Sequence, residues 1–124
     1  MSEYLLKRAY DAPAPEDGAR VLVDRLWPRG VKKEVLDAVW LRDVAPSPEL
    51  RRAWHAASAE SWEAFADQYH AELSAADAAG TGAKAEALGR LRALTAAGPV
   101  TLVFAAKDPQ HNHAVVLRDY LLGG

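Results

Sequence analysis

Apolar residues fall along this chain in two rhythms, short dense runs and longer stretches spaced at three and four. The dense runs predict strands over 4–10 (YLLKRAY), 20–26 (RVLVDRL), 38–44 (AVWLRDV) and 99–106 (PVTLVFAA), each bounded by Pro, Gly or Asp. Val21 to Val23 and Leu102 to Ala106 are unbroken by polar groups, as expected of strands covered on both faces in a parallel sheet. The third run alternates, with Val39 and Leu41 against Trp40 and Arg42.

Four stretches carry the helical rhythm. SPELRRAWH opens with Ser47 as cap and Pro48 at the first helical position, where its missing N–H costs nothing. SAESWEAFADQYHAEL sets Trp62, Phe65, Tyr69 and Leu73 on one stripe, with Ser58 as its cap. AKAEALGRLRALTAA carries Leu88, Leu91 and Leu94 and stops at Gly98-Pro99. DPQHNHAVVLRDYLL is expected to begin with Asp108 as cap and Pro109 at the first position. The pattern predicts a single three-layer α/β domain over 1–124, a mostly parallel sheet of about four strands flanked by helices. The direction of the first strand does not follow from it.

At 124 residues the chain can bury a substantial core. It has no cysteine, which excludes disulfides, thiolate metal sites and a cysteine nucleophile. No apolar run approaches the ~20 residues of a membrane span, and MSEYLLKRAY lacks a secretory pattern, so the expected setting is the cytoplasm without membrane contact. A net charge of −2 makes nucleic acid an unfavoured partner. The charge is uneven, however: residues 20–55 hold eight Lys/Arg against five Asp/Glu, and residues 56–97 hold three against six.

That asymmetry centres on RLWPRGVKK, residues 25–33, where the second strand ends. Ligands of open α/β sheets bind beyond the carboxyl ends of the strands, and parallel strands would bring this segment beside DVAPSPEL and AKDPQHNH. Trp27-Pro28 forces an extended exit, and Gly30 permits a turn that swings Arg29 across the sheet edge. A guanidinium there presents a planar fork to a carboxylate or phosphate, with Lys32 or Lys33 as a second charge. Asp24 and Arg25 are charges at the end of an apolar strand. They are expected either to pair, Asp24 with Arg8, Arg25 or Arg42, or to serve as a catalytic acid or base and a ligand contact.

In AKDPQHNH, Lys107 ends the strand, and His111, Asn112 and His113 are expected in or near the first helical turn. Free N–H groups and the positive helix end favour an anion there, and Lys107 adds a full charge. His111 and His113 are candidates for proton transfer and Asn112 for orienting the ligand. On a helix, two histidines two apart point ~200° away from each other, so only one is expected to face the site and no metal is expected. Arg29, Lys107 and the turn after Pro109 are thus expected to share one anion site. No cofactor motif occurs.

LVDRLWPRG, APSPELR and AAKDPQHNHA together closely resemble the YeaO-like family of small bacterial proteins of unknown function, over nearly the whole chain. The resemblance implies a small α/β fold and a bacterial cytoplasmic setting. It is similar in turn to a broader group that carries Cys-His-Arg where this chain has Asn112, His113 and Ala114. A mechanism resting on that thiol is absent here, and His113 is the one member retained. Three readings follow. The first is an enzyme acting on a small anionic or phosphorylated substrate, such as a nucleotide, with Asp24 or His111 moving a proton and Arg29 and Lys107 clamping the anion. The second is a non-catalytic module that binds an anion or a nucleotide in the same pocket without turnover. The third is an interaction protein docking an acidic partner or nucleic acid through 25–33. Oligomeric state is not legible.

Overall fold

A computed structural model describes residues 3–56 and 61–123, apart from the side chains of His55 and Ala56. Four strands, β1 (Tyr4–Arg8), β2 (Ala19–Leu22), β3 (Val39–Trp40) and β4 (Val100–Phe104), form one sheet in the order β1-β4-β2-β3. Every pairing is parallel, β1 included. The uncharged run at 100–104 is the central strand, buried at all five positions.

Burial follows the two-fold strand period. Val21, Val23, Leu102 and Phe104 face the long helices, whereas Leu22 and Val103 face the opposite side. On the first face lie α3 (Trp62–Ala79), α4 (Ala83–Ala97) and α5 (His113–Leu121), delivering Tyr69, Leu73, Leu88, Leu91 and Leu117 to the main core. The other face is thinner. A single turn, α1 (Lys33–Leu36), buries Leu36 there, beside Trp27 and Trp40. The third layer is therefore a turn and a loop.

The expected strands shorten at their carboxyl ends. Val23 still donates to Val103 O at 3.1 Å, but residues 24–26 leave the sheet. The stretch 38–44 is mostly not strand: after Leu41 donates to Leu22 O, Arg42–Val44 form a 3-10 turn. Lone charges at 42 and 43 find solvent in a turn, which a buried edge would deny them. Ser47 caps α2 (Pro48–Ala56) as expected, its Oγ accepting from Leu50 N. Ser58 lies outside the described residues, and α3 is preceded by Ser61.

The last helix begins later than Asp108-Pro109. Its cap is Asn112, whose Oδ1 accepts from Val115 N while Nδ2 donates to Asp108 O. Asp108 instead accepts from the N–H groups of Gln110 and His111, closing a turn ahead of the helix. Both residues are good caps. Burial of Asn112 decides between them, because its amide would otherwise be buried without partners.

Among the described residues no helix is long and apolar enough to cross a membrane.

Candidate functional site: a cationic cleft at the strand ends

Because the sheet is parallel, the loops leaving β2, β3 and β4 meet beyond one edge, and they wall a cleft of about 310 Å³. The β2 loop is braced from within. Trp27 sits edge-on to Trp40 at 5.4 Å, and its indole N–H donates to Val31 O at 2.7 Å. Gly30 closes the turn at φ +80°, a conformation that costs a side-chain-bearing residue strain. Buried Pro28 on one side and Gly30 on the other leave Arg29 exposed at the tip, lining the cleft.

The β3 loop is held by side chains from the helices behind it. Tyr69 donates its hydroxyl to Val44 O. Lys84 donates to the carbonyls of Asp43 and Ala45. Glu72 accepts from both the N–H and the Oγ of Ser47, at 2.9 and 2.6 Å. Burial pushes the Tyr69 phenol well above its ordinary range, with the Glu72 and Asp24 charges acting in the same direction. Burial likewise pushes the Lys84 ammonium below the usual lysine range. These anchors present Ala45 and Pro46 to the cleft and begin α2 at its rim, so that Arg51 and Trp54 enter it from the first turns.

Asp24 and His113 meet at the base of the β2 and β4 loops. Asp24 Oδ2 accepts from Ala105 N at 3.0 Å, and Trp40 Nε1 donates to Asp24 O. His113 Nε2 donates to Val23 O at 3.1 Å, which places a proton on that nitrogen. Asp24 Oδ1 stands 2.9 Å from the same nitrogen, off the N–H direction, and has no hydrogen-bond partner among the described residues. The ring beside Asp24 is thus that of His113, and the expected arginine pairing is not what forms. Arg8 is committed to the carbonyls of Ala105 and Ala106, and Arg42 lies over the Trp40 ring. Arg25 reaches Pro46 O at 3.4 Å and leaves its Nε unpartnered.

Six of the seven residues singled out from the sequence line this cleft: Asp24, Arg25, Arg29, His111, Asn112 and His113. Lys107 does not; it is exposed in the turn before α5. Both histidines face the cleft, contrary to the helical expectation, because His111 precedes the helix and pairs with Asp108 Oδ2 at 3.1 Å. Asn112 is occupied as the helix cap and is buried. Its amide holds the backbone rather than a ligand.

Arg51, Trp54 and Phe65 were not among the residues expected at the site. Phe65 belongs to the apolar stripe of α3, and Arg51 and Trp54 lie within the SPELRRAWH helix, where no site motif marks them. The signal available was spacing: Arg51 and Trp54 lie three apart on α2 and so share a helix face.

The cleft is set within a chain whose relatives are identifiable. A family model described as the "Inactive DUF488-N3 subclade" matches residues 3–123. The chain belongs to this family. The YeaO-like proteins it resembles are 42% identical to it: "Uncharacterized protein YeaO" of Escherichia coli K12 over 117 residues, covering 93% of each chain, is one. Another is "Uncharacterized protein Rv3073c" of Mycobacterium tuberculosis H37Rv, also over 117 residues, covering 94% of this chain and 91% of the relative. No solved structure matches this DUF488 chain.

Proposed function

We propose that this DUF488 protein is a non-catalytic module that binds a small anion, a phosphate or carboxylate, in the cleft at the strand ends. One observation carries the reading. Arg29 and Arg51 both line the cleft, and neither guanidinium has a hydrogen bond or ion pair among the described residues. Arg51, half-buried beside apolar walls, has lost part of its hydration, Arg29 is exposed at the rim, and an oxyanion between them would accept paired N–H donors from each. Each charge-assisted contact is worth roughly 1.5–3 kcal/mol. The subclade's description as inactive agrees with binding without turnover.

Calorimetric titration with phosphate, nucleotides and small carboxylates tests it. Arg29→Ala and Arg51→Ala should each weaken the same ligand about tenfold or more, with the fold intact. A screen in which nothing binds, or variants that bind as tightly as the parent, would sink the proposal.

The Asp24–His113 contact favours a second reading, an enzyme on the same ligand class. A proton fixed on Nε2 leaves Nδ1 as the acceptor of the ring, an arrangement suited to a general base. Turnover of a bound phosphate ester or carboxylate, abolished by His113→Gln with binding retained, would select the enzyme.

A further inference from the structure

The cleft is larger and less polar than a phosphate needs. Its volume of about 310 Å³ compares with the ~30 Å³ that one water occupies in the liquid. It lies at the lower end of small-molecule sites, about 300–1,000 Å³. The second wall is aromatic. Trp54 stacks on Phe65 with centroids 4.9 Å apart and planes 29° from parallel, and Trp62 meets Trp54 edge-on at 5.5 Å. Trp62 also lies against His111, at 5.1 Å. Phe65 is buried, so Trp54, half-buried, is the ring of this stack that a ligand can reach. Two neighbouring rings fix its plane before anything binds, which lowers the ordering cost of stacking. Arg51 emerges three residues earlier on the same helix face, so charge and ring stand side by side.

Building on the anion-binding reading, we infer that the ligand joins its anionic group to a flat aromatic ring, and that a free nucleoside monophosphate has the chemistry the cleft fits. Arg29 and Arg51 take the phosphate, and Trp54 stacks the base. The cationic groups form a cluster at one cleft and not a track, so one nucleotide is seated, not a strand.

Calorimetry with the four common nucleoside 5′-monophosphates, ribose 5-phosphate, inorganic phosphate and a 5′-phosphorylated trinucleotide decides the matter. At least one monophosphate should bind about tenfold or more tightly than ribose 5-phosphate. Trp54→Leu should erase that advantage of nucleotide over ribose 5-phosphate, and Trp54→Phe should keep most of it. Equal affinity for nucleotide and sugar phosphate would overturn the aromatic assignment and leave anion binding standing. Binding of none of the probes would overturn both. A trinucleotide held tenfold tighter than the monophosphate would overturn the free nucleotide in favour of a strand end. Should Trp54→Leu not fold, the nucleoside-to-sugar ratio of the parent protein decides alone.

Discussion

Charges gather at both ends of the sheet, and the two ends treat them in opposite ways. At the amino ends Asp17 is buried and closed off. It accepts from Arg20 at 2.7 Å, from Lys7 at 3.1 Å and from Ala14 N at 3.0 Å, while Thr101 donates to its carbonyl. Arg20 is buried with it and donates a further bond to Leu36 O. At the carboxyl ends Arg29 and Arg51 line a cleft in which neither guanidinium has a hydrogen bond or ion pair among the described residues, and Asp24, which lines it too, accepts from Ala105 N through Oδ2 and leaves Oδ1 without a hydrogen bond. A charge that folding must bury is neutralised within the chain; a charge left at a concave edge is available to something else. That difference is what the anion-binding proposal rests on.

The comparison breaks most visibly at its closed end. Asp17→Ala should destabilise the fold by about 3–5 kcal/mol, because Arg20 would then be a buried charge without its counter-ion. Adding Arg20→Met should recover most of the loss, since an apolar replacement for the whole pair removes the unpaired charge. Urea unfolding of the two variants checks this. A loss below about 1 kcal/mol for Asp17→Ala would mean that Arg20 finds solvent or another acceptor there.

The same contrast marks what could be read from the sequence. Central β4 was legible because an uncharged run of that length has no reason to exist at a surface. Gly30 and Ser47 were legible because a positive φ and a helix start each demand few residue types. Arg20 and Asp17 were not, since nothing local says that two charges three apart will be buried together. The start of α5 was ambiguous for a related reason: Asp108 and Asn112 are both competent caps, and only tertiary burial of the second selects it. Seven candidate site residues were drawn from the segments after β2 and β4, and the parallel sheet brought six to one cleft. Lys107, expected at the end of the strand, is exposed in the turn before α5 and does not line that cleft. Arg51 and Trp54 stayed hidden because their role depends on how α2 is docked, which Glu72, Tyr69 and Lys84 fix from distant parts of the chain.

A surface acid sharpens the comparison with a smaller effect. The twin hydrogen bonds from Arg92, at 2.9 and 2.7 Å, hold the Asp77 carboxyl down at about 2 against partial burial, with the Tyr120 hydroxyl assisting. A depressed folded-state value means stability that is fully present above the unfolded value of 3.8 and lost as pH falls through about 2. Arg92 is half exposed, so solvent screening reduces the effect to about 1 kcal/mol or less. Between pH 5 and pH 2 the parent should therefore lose more stability than Asp77→Asn, by up to that amount. Parallel urea-midpoint curves for the two proteins would refute the assignment. Asp17 is also held below the usual carboxylate range, by Ala14 N–H, Lys7 and Arg20 outweighing burial, so acid should weaken both proteins over the same window.

The smallest effect on stability is expected where the effect on binding is large. Arg51 donates to nothing among the described residues, so Arg51→Ala removes no bond and should change stability by less than about 0.5 kcal/mol. Arg25, Arg29 and Arg51 line one cleft and repel one another, and folding brings them together. Deleting one should stabilise the empty protein by a few tenths of a kcal/mol at low ionic strength, less whatever packing its methylene stem provides. Near 1 M sodium chloride the screening length falls to about 3 Å, and the gain should vanish. Thermal unfolding of parent and variant at 10 mM and 1 M salt measures it. A variant less stable than the parent by more than 1 kcal/mol at both salt concentrations would show that Arg51 is structural after all, and the open end of the sheet would then be closed like the other.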